Sequence, residues 1–327
     1  MYYISKIYVN FAMMGRKTHI ALLVLVGLLN FHMLKAQQDV AFVQYWKIEP
    51  QFNPAAVGRT EELWVGAAMS IHATGYEDAG STIYAGANTA FPIGKTRHGV
   101  GAMFQNDKIG LFSHKQFALQ YAFHMKLGKG TLSIGAQADM LNEGVDAGKA
   151  DLIDGSDKAF TGSDMNGSRF DLSAGLYYKL KNFNVGVGVM HITAPTVEMG
   201  TTNEIRIKRA YNFTAGYNIN TKNPLFKIVP SVMFRTDLAD YRADITARFM
   251  FQKEKKNFYA GVGYAPMHSV SLFVGGLFYG IDIGYSYEAN TRGLGLQAGN
   301  HELTLAYRFD LNFGKKGKNL HKTARWL

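Results

Sequence analysis

After residue 60 the chain alternates, segment after segment, between apolar side chains and small or polar ones. In residues 171–180, Leu172, Ala174, Leu176, Tyr178 and Leu180 share one face, and Asp171, Ser173, Gly175 and Lys179 share the other. In 116–126, Phe117, Leu119, Tyr121, Phe123 and Met125 oppose Gln116, Gln120, His124 and Lys126. In 303–310, Leu303, Leu305, Tyr307 and Phe309 oppose Thr304, Arg308 and Asp310. A period of two belongs to a β-strand with unlike faces. The pattern predicts strands at 63–72, 81–91, 98–107, 115–127, 130–140, 170–180, 183–191, 209–219, 226–236, 241–251, 257–265, 269–275, 278–288 and 301–311. The count is about fourteen and even, and a typical segment has about ten residues, the length of a tilted strand crossing a bilayer.

The connections carry a second signal. "PIGKTRH", "LGKG", "KLKN", "NTKNPL", "QKEKKN" and "GGL" read as short turns. They alternate with "ATGYEDAGS", "DKIGLFSH", 141–169, 192–208 and 289–300, although "DLAD" and "PMHS" are short members of this second set. Short turns on one rim and longer loops on the other are the pattern of outer-membrane barrels. A soluble sandwich would also alternate, but so many strands would demand a very large core. Closure in lipid removes every sheet edge and gives the apolar face a solvent. The expected fold is therefore all-β: a transmembrane antiparallel β-barrel of about 14 strands, spanning 63–311.

The two faces then have different chemistry. The expected inner face is small or polar, with Gly135, Gly175, Gly186, Gly188, Gly261 and Gly263. It also carries Asp139, Arg235, Arg242, Asp244, Arg248, Asp282, Glu288 and Arg308. Buried charges of both signs are expected to pair across the lumen as structure rather than line a charge-selective pore. Glycines in the wall would let another part of the chain approach it closely.

Residues 1–36 read as a secretory signal. Arg16 and Lys17 precede the apolar run "IALLVLVGLL", and a small residue, Ala36, ends the segment. That run is shorter than the roughly 20 residues of a membrane helix. Met14 is expected to be the true start, since the signal is complete from there. The chain has no cysteine, which excludes a disulfide framework, cysteine–metal sites and lipid attachment at a mature N-terminal cysteine. The net charge of +10 includes +4 from Lys6, Arg16, Lys17 and Lys35, and the rest is spread over turns and the tail. No strand gathers it into a stripe, so nucleic acid is not an expected partner.

Between signal and barrel lies "QYWKIEPQFNPAAVG", Gln44 to Gly58. Pro50 and Pro54 bar a helix or a central strand, yet Tyr45, Trp46, Ile48 and Phe52 are more apolar surface than a linker needs. Prolines also lower the entropy lost when such a segment docks. Residues 37–62 are accordingly expected to form a plug packed within or against the barrel, and 312–327 a frayed basic tail.

At this point the chain resembles a known family. "FVQY" (Phe42, Gln44 and Tyr45 among its residues) followed by "FNPAAVG" (Phe52, Asn53, Pro54, Ala55, Gly58) resembles the N-terminal signature of the PorP/SprF family. Near the other end, Gly299, His301 and Glu302, then Tyr307, Arg308 and Phe309, are similar to that family's closing strands. The resemblance implies an outer-membrane barrel of the type IX secretion and gliding-motility system of Bacteroidota. It implies no catalysis and no cofactor. Its implied partners are periplasmic secretion components, including a peptidoglycan-associated lipoprotein, and a secreted surface adhesin. Asn53-Pro54-Ala55 also resembles the "NPA" in the plug of FadL-like outer-membrane transporters of hydrophobic solutes, which is the alternative.

Enzymatic signals are weak. Ser113 and His114 are sequence neighbours, a common coincidence rather than a nucleophile and its base. The histidines lack metal-ligand spacing. Asp151, Asp154, Asp157 and Asp164 lack the alternation of a calcium loop, so a solvated external loop is expected there.

Overall fold

The computed structural model describes residues 41–76, 79–146, 165–200, 203–253, 256–291 and 298–309. The signal segment, the tail from residue 310 and the four loop aspartates lie outside these described residues.

Three single turns of 3-10 helix, Tyr45–Lys47, Glu49–Gln51 and Pro54–Ala56, precede the first strand. The strands are β1 (Leu63–Ile71), β2 (Ser81–Ile93), β3 (Thr96–Ile109), β4 (Phe112–Leu127), β5 (Gly130–Val145), β6 (Met165–Leu180), β7 (Phe183–Met190), β8 (Thr196–Met199) and β9 (Asn203–Arg206). They continue with β10 (Ala210–Tyr217), β11 (Ile219–Asn220), β12 (Phe226–Thr236), β13 (Tyr241–Lys253), β14 (Lys256–Ala265), β15 (Ser269–Phe278), β16 (Ile281–Asn290) and β17 (Asn300–Phe309). Consecutive strands pair antiparallel from β1 to β7, β10 follows β7, and β12 to β17 complete the sheet. β11 prolongs the line of β10 beyond Asn218 and also pairs with β12. β1 pairs with β17, from Leu63 opposite Phe309 to Ile71 opposite His301, so the sheet is a closed barrel of fourteen strands.

The faces follow the alternation. Leu119 on β4 and Leu272 on β15 are 71% and 61% exposed, while their neighbours Ala118, Gln120, Ser271 and Phe273 are buried. The outward set is a continuous apolar band suited to lipid. Near the rim where β1 starts and β17 ends, outward Phe226, Phe251, Phe258 and Phe278 form a row across β12 to β15, with ring centroids 5.3, 6.4 and 4.8 Å apart in turn. Such aromatic girdles sit at a bilayer interface.

Several connections differ from expectation. "GGL" is not a turn: Gly275, Gly276 and Leu277 lie inside β15, and the turn is Tyr279–Gly280. Both turn residues have positive φ, +51° and +94°, the geometry that suits a two-residue hairpin between twisted strands. Gly275 belongs to the wall because a Cβ there would meet the Tyr259 hydroxyl at 2.1 Å. "DKIGLFSH" is likewise no loop. It is the end of β3, a tight turn at Gly110–Leu111 and the start of β4. β5 runs on to Val145 and β6 starts at Met165, so β4, β5 and β6 each have 16 residues and stand tall on the rim opposite the start of β1 and the end of β17.

The expected loop 192–208 contains the β8–β9 hairpin. Its Val197 and Met199 are buried with Val145, against Leu111, Met165, Ile205 and Ile207. The hairpin lies over the inner face of β6, where a Cβ on Gly167 would meet the Glu198 carbonyl at 2.1 Å.

Candidate functional site

The residues from Phe42 to Gly58 lie inside the barrel. Phe42, Tyr45, Ile48 and Phe52 are buried in one cluster with Ala68, Tyr84, Met103, Ala118 and Met233 of the wall, and Trp46 and Trp64 pack against it. Local chemistry fixes the path. Asn53 is extended, and its Oδ1 accepts from the Ala55 amide at 2.9 Å, capping the turn that Pro54 begins. The same side chain's Nδ2 donates to the Leu176 carbonyl of β6 at 2.9 Å. One asparagine thus shapes the plug and ties it to the wall.

Buried backbone groups of an irregular segment need partners. The wall supplies them from inward positions. Gln120 donates to the Pro50 carbonyl at 2.7 Å, and Asn212 to the Phe52 carbonyl at 3.1 Å. His124 Nε2 lies 2.9 Å from the Val57 carbonyl, and the Gly58 amide donates to Asn88 at 3.1 Å. The Glu302 carboxylate accepts from the Val43 amide at 2.7 Å and the Gln44 amide at 3.0 Å. Side chains add further ties: Tyr45 to Ser231 at 3.0 Å, Tyr259 to Gln44 at 2.5 Å, and Gln51 to Gln105. Trp46 packs on Phe273 of β15 at 4.9 Å. With Ala68 of β1, Thr246 of β13 at 3.4 Å from the Tyr45 hydroxyl, the Lys47–Asp282 pair and the glycines below, these contacts involve all fourteen barrel strands.

The wall is cut back where the plug touches it. A Cβ at Gly135 would lie 2.2 Å from the Ala55 nitrogen, at Gly175 2.0 Å from Asn53 Oδ1, and at Gly188 2.1 Å from the Phe52 carbonyl oxygen. No L side chain fits at these distances, so three adjacent strands carry glycine at the plug contact.

Two ion pairs complete the seat. Lys47 meets Asp282 at 2.7 Å and also donates to Thr304 at 3.1 Å. Burial pulls the Lys47 ammonium below its ordinary pKa, against the opposing pull of Asp282. Arg59 pairs with Glu49, donates to the Tyr177 hydroxyl at 2.7 Å and stacks 4.9 Å over its ring. Burial also pushes the Tyr45 phenol up to about 12, so it remains a neutral donor.

Replacing Glu302 with alanine should strand two buried amides. The expected cost is on the order of 3 kcal/mol, from two donors at about 1–3 kcal/mol each. Chemical unfolding in detergent measures the loss. Hydrogen exchange at Val43 and Gln44 should rise at the same time, and unchanged exchange there would contradict the contact.

The expected lumen charges all occupy inward positions. Arg235 pairs with Asp244 at 2.9 Å, and Arg242 bridges Asp244 at 2.8 Å and Glu288 at 2.5 Å. These pairs join neighbouring β12 and β13, and then β13 to β16 past the two strands between them. Asp139 is held by Gln116 at 2.8 Å, Gln137 at 2.7 Å and Ser173 at 3.1 Å. Arg308 reaches Asp282 at 3.9 Å, and Arg248 stacks 4.3 Å over Trp46.

The C-terminal motif divides by face. Glu302 and Arg308 point inward. His301 points outward, its Nδ1 2.7 Å from the Tyr285 hydroxyl. Tyr307 and Phe309 form an outward pair at 4.3 Å. Gly299 lies in the connection before β17, where a Cβ would meet the Tyr287 ring at 2.4 Å. Ser113 and His114 sit at successive positions of β4 and so face opposite sides of the wall, with His114 paired to Glu143. Among the described residues, no group of three His, Asp or Glu side chains is placed to hold a metal ion.

Sequence reasoning missed Gln105, Gln120, His124, Asn212, Lys47 and Arg59 as plug contacts. Strand phase marks the first four as inward. Nothing in their spacing says that they meet a peptide segment instead of water.

The fold has known likenesses. The CymD monoaromatic hydrocarbon channel aligns over 85% of this chain and 95% of its own at 11% identity, with a TM-score of 0.48. The TodX deltaS2S3 mutant monoaromatic hydrocarbon channel aligns over 79% and 93% at 10% identity, TM-score 0.50. The Ralstonia pickettii toluene transporter TbuX aligns over 79% and 92% at 13% identity, TM-score 0.43. At such identities the likeness concerns the fold alone. No curated protein matches the chain. A family model described as "Type IX secretion system membrane protein PorP/SprF" matches residues 34–307.

Proposed function

The chain belongs to the PorP/SprF family of type IX secretion system membrane proteins, and from that membership we propose that its barrel is an outer-membrane docking component of the secretion and gliding-motility machinery. The signal segment, 1–36, directs export. The rim where β1 starts and β17 ends faces the periplasm, where its short turns meet periplasmic secretion components, including a peptidoglycan-associated lipoprotein. The taller opposite rim, with β4–β6 and the β8–β9 hairpin, meets a secreted surface adhesin. Outer-membrane lipid covers the apolar band. The work is binding, not bond-making.

The observation that carries this proposal is the plug. It is tied to the wall by buried hydrogen bonds and ion pairs on every side, which suits a rigid scaffold better than a conduit. A second reading, FadL-like passage of a hydrophobic solute, draws on Asn53-Pro54-Ala55 lying against the wall. The lumen weighs against it. Gln51, Gln105, Gln116, Gln120, Gln137, Asp139 and Glu143 are all buried there, and apolar solutes are held by apolar pockets.

Affinity purification from outer membranes in mild detergent, with mass spectrometry of proteins and bound lipid, separates the two. Docking predicts co-purifying type IX periplasmic components or a surface adhesin. A lone barrel carrying fatty acid or another apolar solute would favour transport. Replacing Asn53 and Pro54 together with alanine should loosen the plug and lower partner recovery. Unchanged folding with unchanged recovery would refute the plug's part in docking.

A further inference from the structure

Between the plug and the wall lies a cavity of ≈ 170 Å³, partly open to solvent, whose lining includes Tyr45, Trp46, Tyr177, Asn184, Ser231 and Arg248. Asn184 is the second residue of β7 and Arg248 lies past the middle of β13, so the cavity belongs to the half of the barrel nearest the start of β1 and the end of β17. Its charges are unequal. Glu49 and Arg59 also face it, but they pair with each other. Arg248 has no carboxylate within 4.0 Å among the described residues, and its buried Nε has no hydrogen-bond partner there. The cavity therefore presents one uncompensated guanidinium, stacked on the Trp46 face.

We propose that this cavity binds a small carboxylate. The guanidinium fork of Arg248 matches a carboxylate in two parallel hydrogen bonds. A single net positive charge suits a monoanion and leaves a phosphate dianion undercompensated. Tyr45 spends its hydroxyl on Ser231 and Tyr177 accepts from Arg59, so the two rings offer mainly apolar surface to the body of the ligand. The Asn184 amide supplies a neutral polar contact. The volume fits a group the size of one capped amino acid. Such a carboxylate belongs either to a free acid or to the end of a peptide chain. The inference stands on the cavity alone and does not require the docking proposal.

The test is calorimetric titration of the purified full-length barrel in detergent with N-acetylalanine, its primary amide, inorganic phosphate and a four-residue peptide with a free C-terminus. The acid should bind in the millimolar range or better and the amide should not, because it offers the guanidinium no negative charge. Arg248→Met should weaken the acid at least ~10-fold, the loss of a charge-assisted pair. If that variant fails to fold, Arg248→Lys keeps the charge, loses the fork and should weaken binding by a smaller factor. A peptide that binds tighter than N-acetylalanine assigns the site to a chain end, and equal binding assigns it to a free acid. Equal binding of acid and amide, tighter binding of phosphate, or no heat with any carboxylate overturns the proposal. These results are distinguishable from failed partner recovery, since no partner is present.

Discussion

Replacing Gly188 with valine is expected to unseat the plug while the barrel stays closed. A Cβ at that position would lie 2.1 Å from the Phe52 carbonyl oxygen and 3.2 Å from the Asn53 Cα. Backbone on the far side cannot yield as a flexible side chain would. The strand itself has no objection: Gly188 is paired on both sides, to Gly175 of β6 and Asn212 of β10, and valine is a better strand residue than glycine. The strain must therefore fall on the plug. Overpacking of this kind costs about 1–3 kcal/mol, more if the Asn212–Phe52 bond also breaks. Limited proteolysis should cut within 42–58 in the variant and spare the parent. The heat-modifiable electrophoretic shift of the folded barrel should persist in both. Gly175→Val, aimed at Asn53 Oδ1 from the neighbouring strand, should behave alike. Protection equal to the parent in both variants would mean that the close approach is not what seats the plug.

Arg242→Met should produce the largest loss of stability of any single change in the wall. Arg242 holds Asp244 and Glu288 together, and all three side chains are at most 12% exposed. After the change Asp244 keeps Arg235, but Glu288 keeps only the neutral donors Ser269 and Asn300. Breaking a buried pair from one side costs about 3–5 kcal/mol, because the partner charge is left uncompensated. Removing both sides is milder, so Arg242→Met with Glu288→Gln should recover part of the loss. Equilibrium unfolding in detergent, followed by tryptophan fluorescence, reads both. A single variant as stable as the parent would mean that water compensates Glu288.

The chain's alternation was enough to fix the number of barrel strands and their inward phase, because lipid outside and a polar interior force unlike faces on every strand. Ends were less legible. β15 runs through Gly275 and Gly276, which look like turn residues, because Gly275 makes room for Tyr259 and Gly276 for the Phe278 ring. β4–β6 run past their apolar stretches, since beyond the bilayer strand pairing no longer needs a lipid face. The β8–β9 hairpin was hidden because four-residue strands give too few alternations. The plug was legible as ordered from Pro50, Pro54 and its aromatics. Its contacts were not: Gln120 or Glu302 facing inward serves water and peptide equally well in sequence. The charges were legible as inward, but which of them pair depends on how far β13 stands from β16, and the spacing of residues does not give that distance.

Conductance across a planar bilayer tests most directly whether the barrel is a plugged scaffold. The full-length protein should insert without steady ion current, and a chain lacking residues 42–58 should open discrete channels of porin-like size. A steady, ohmic current through the intact protein, with its plug still protected from protease, would contradict the central claim.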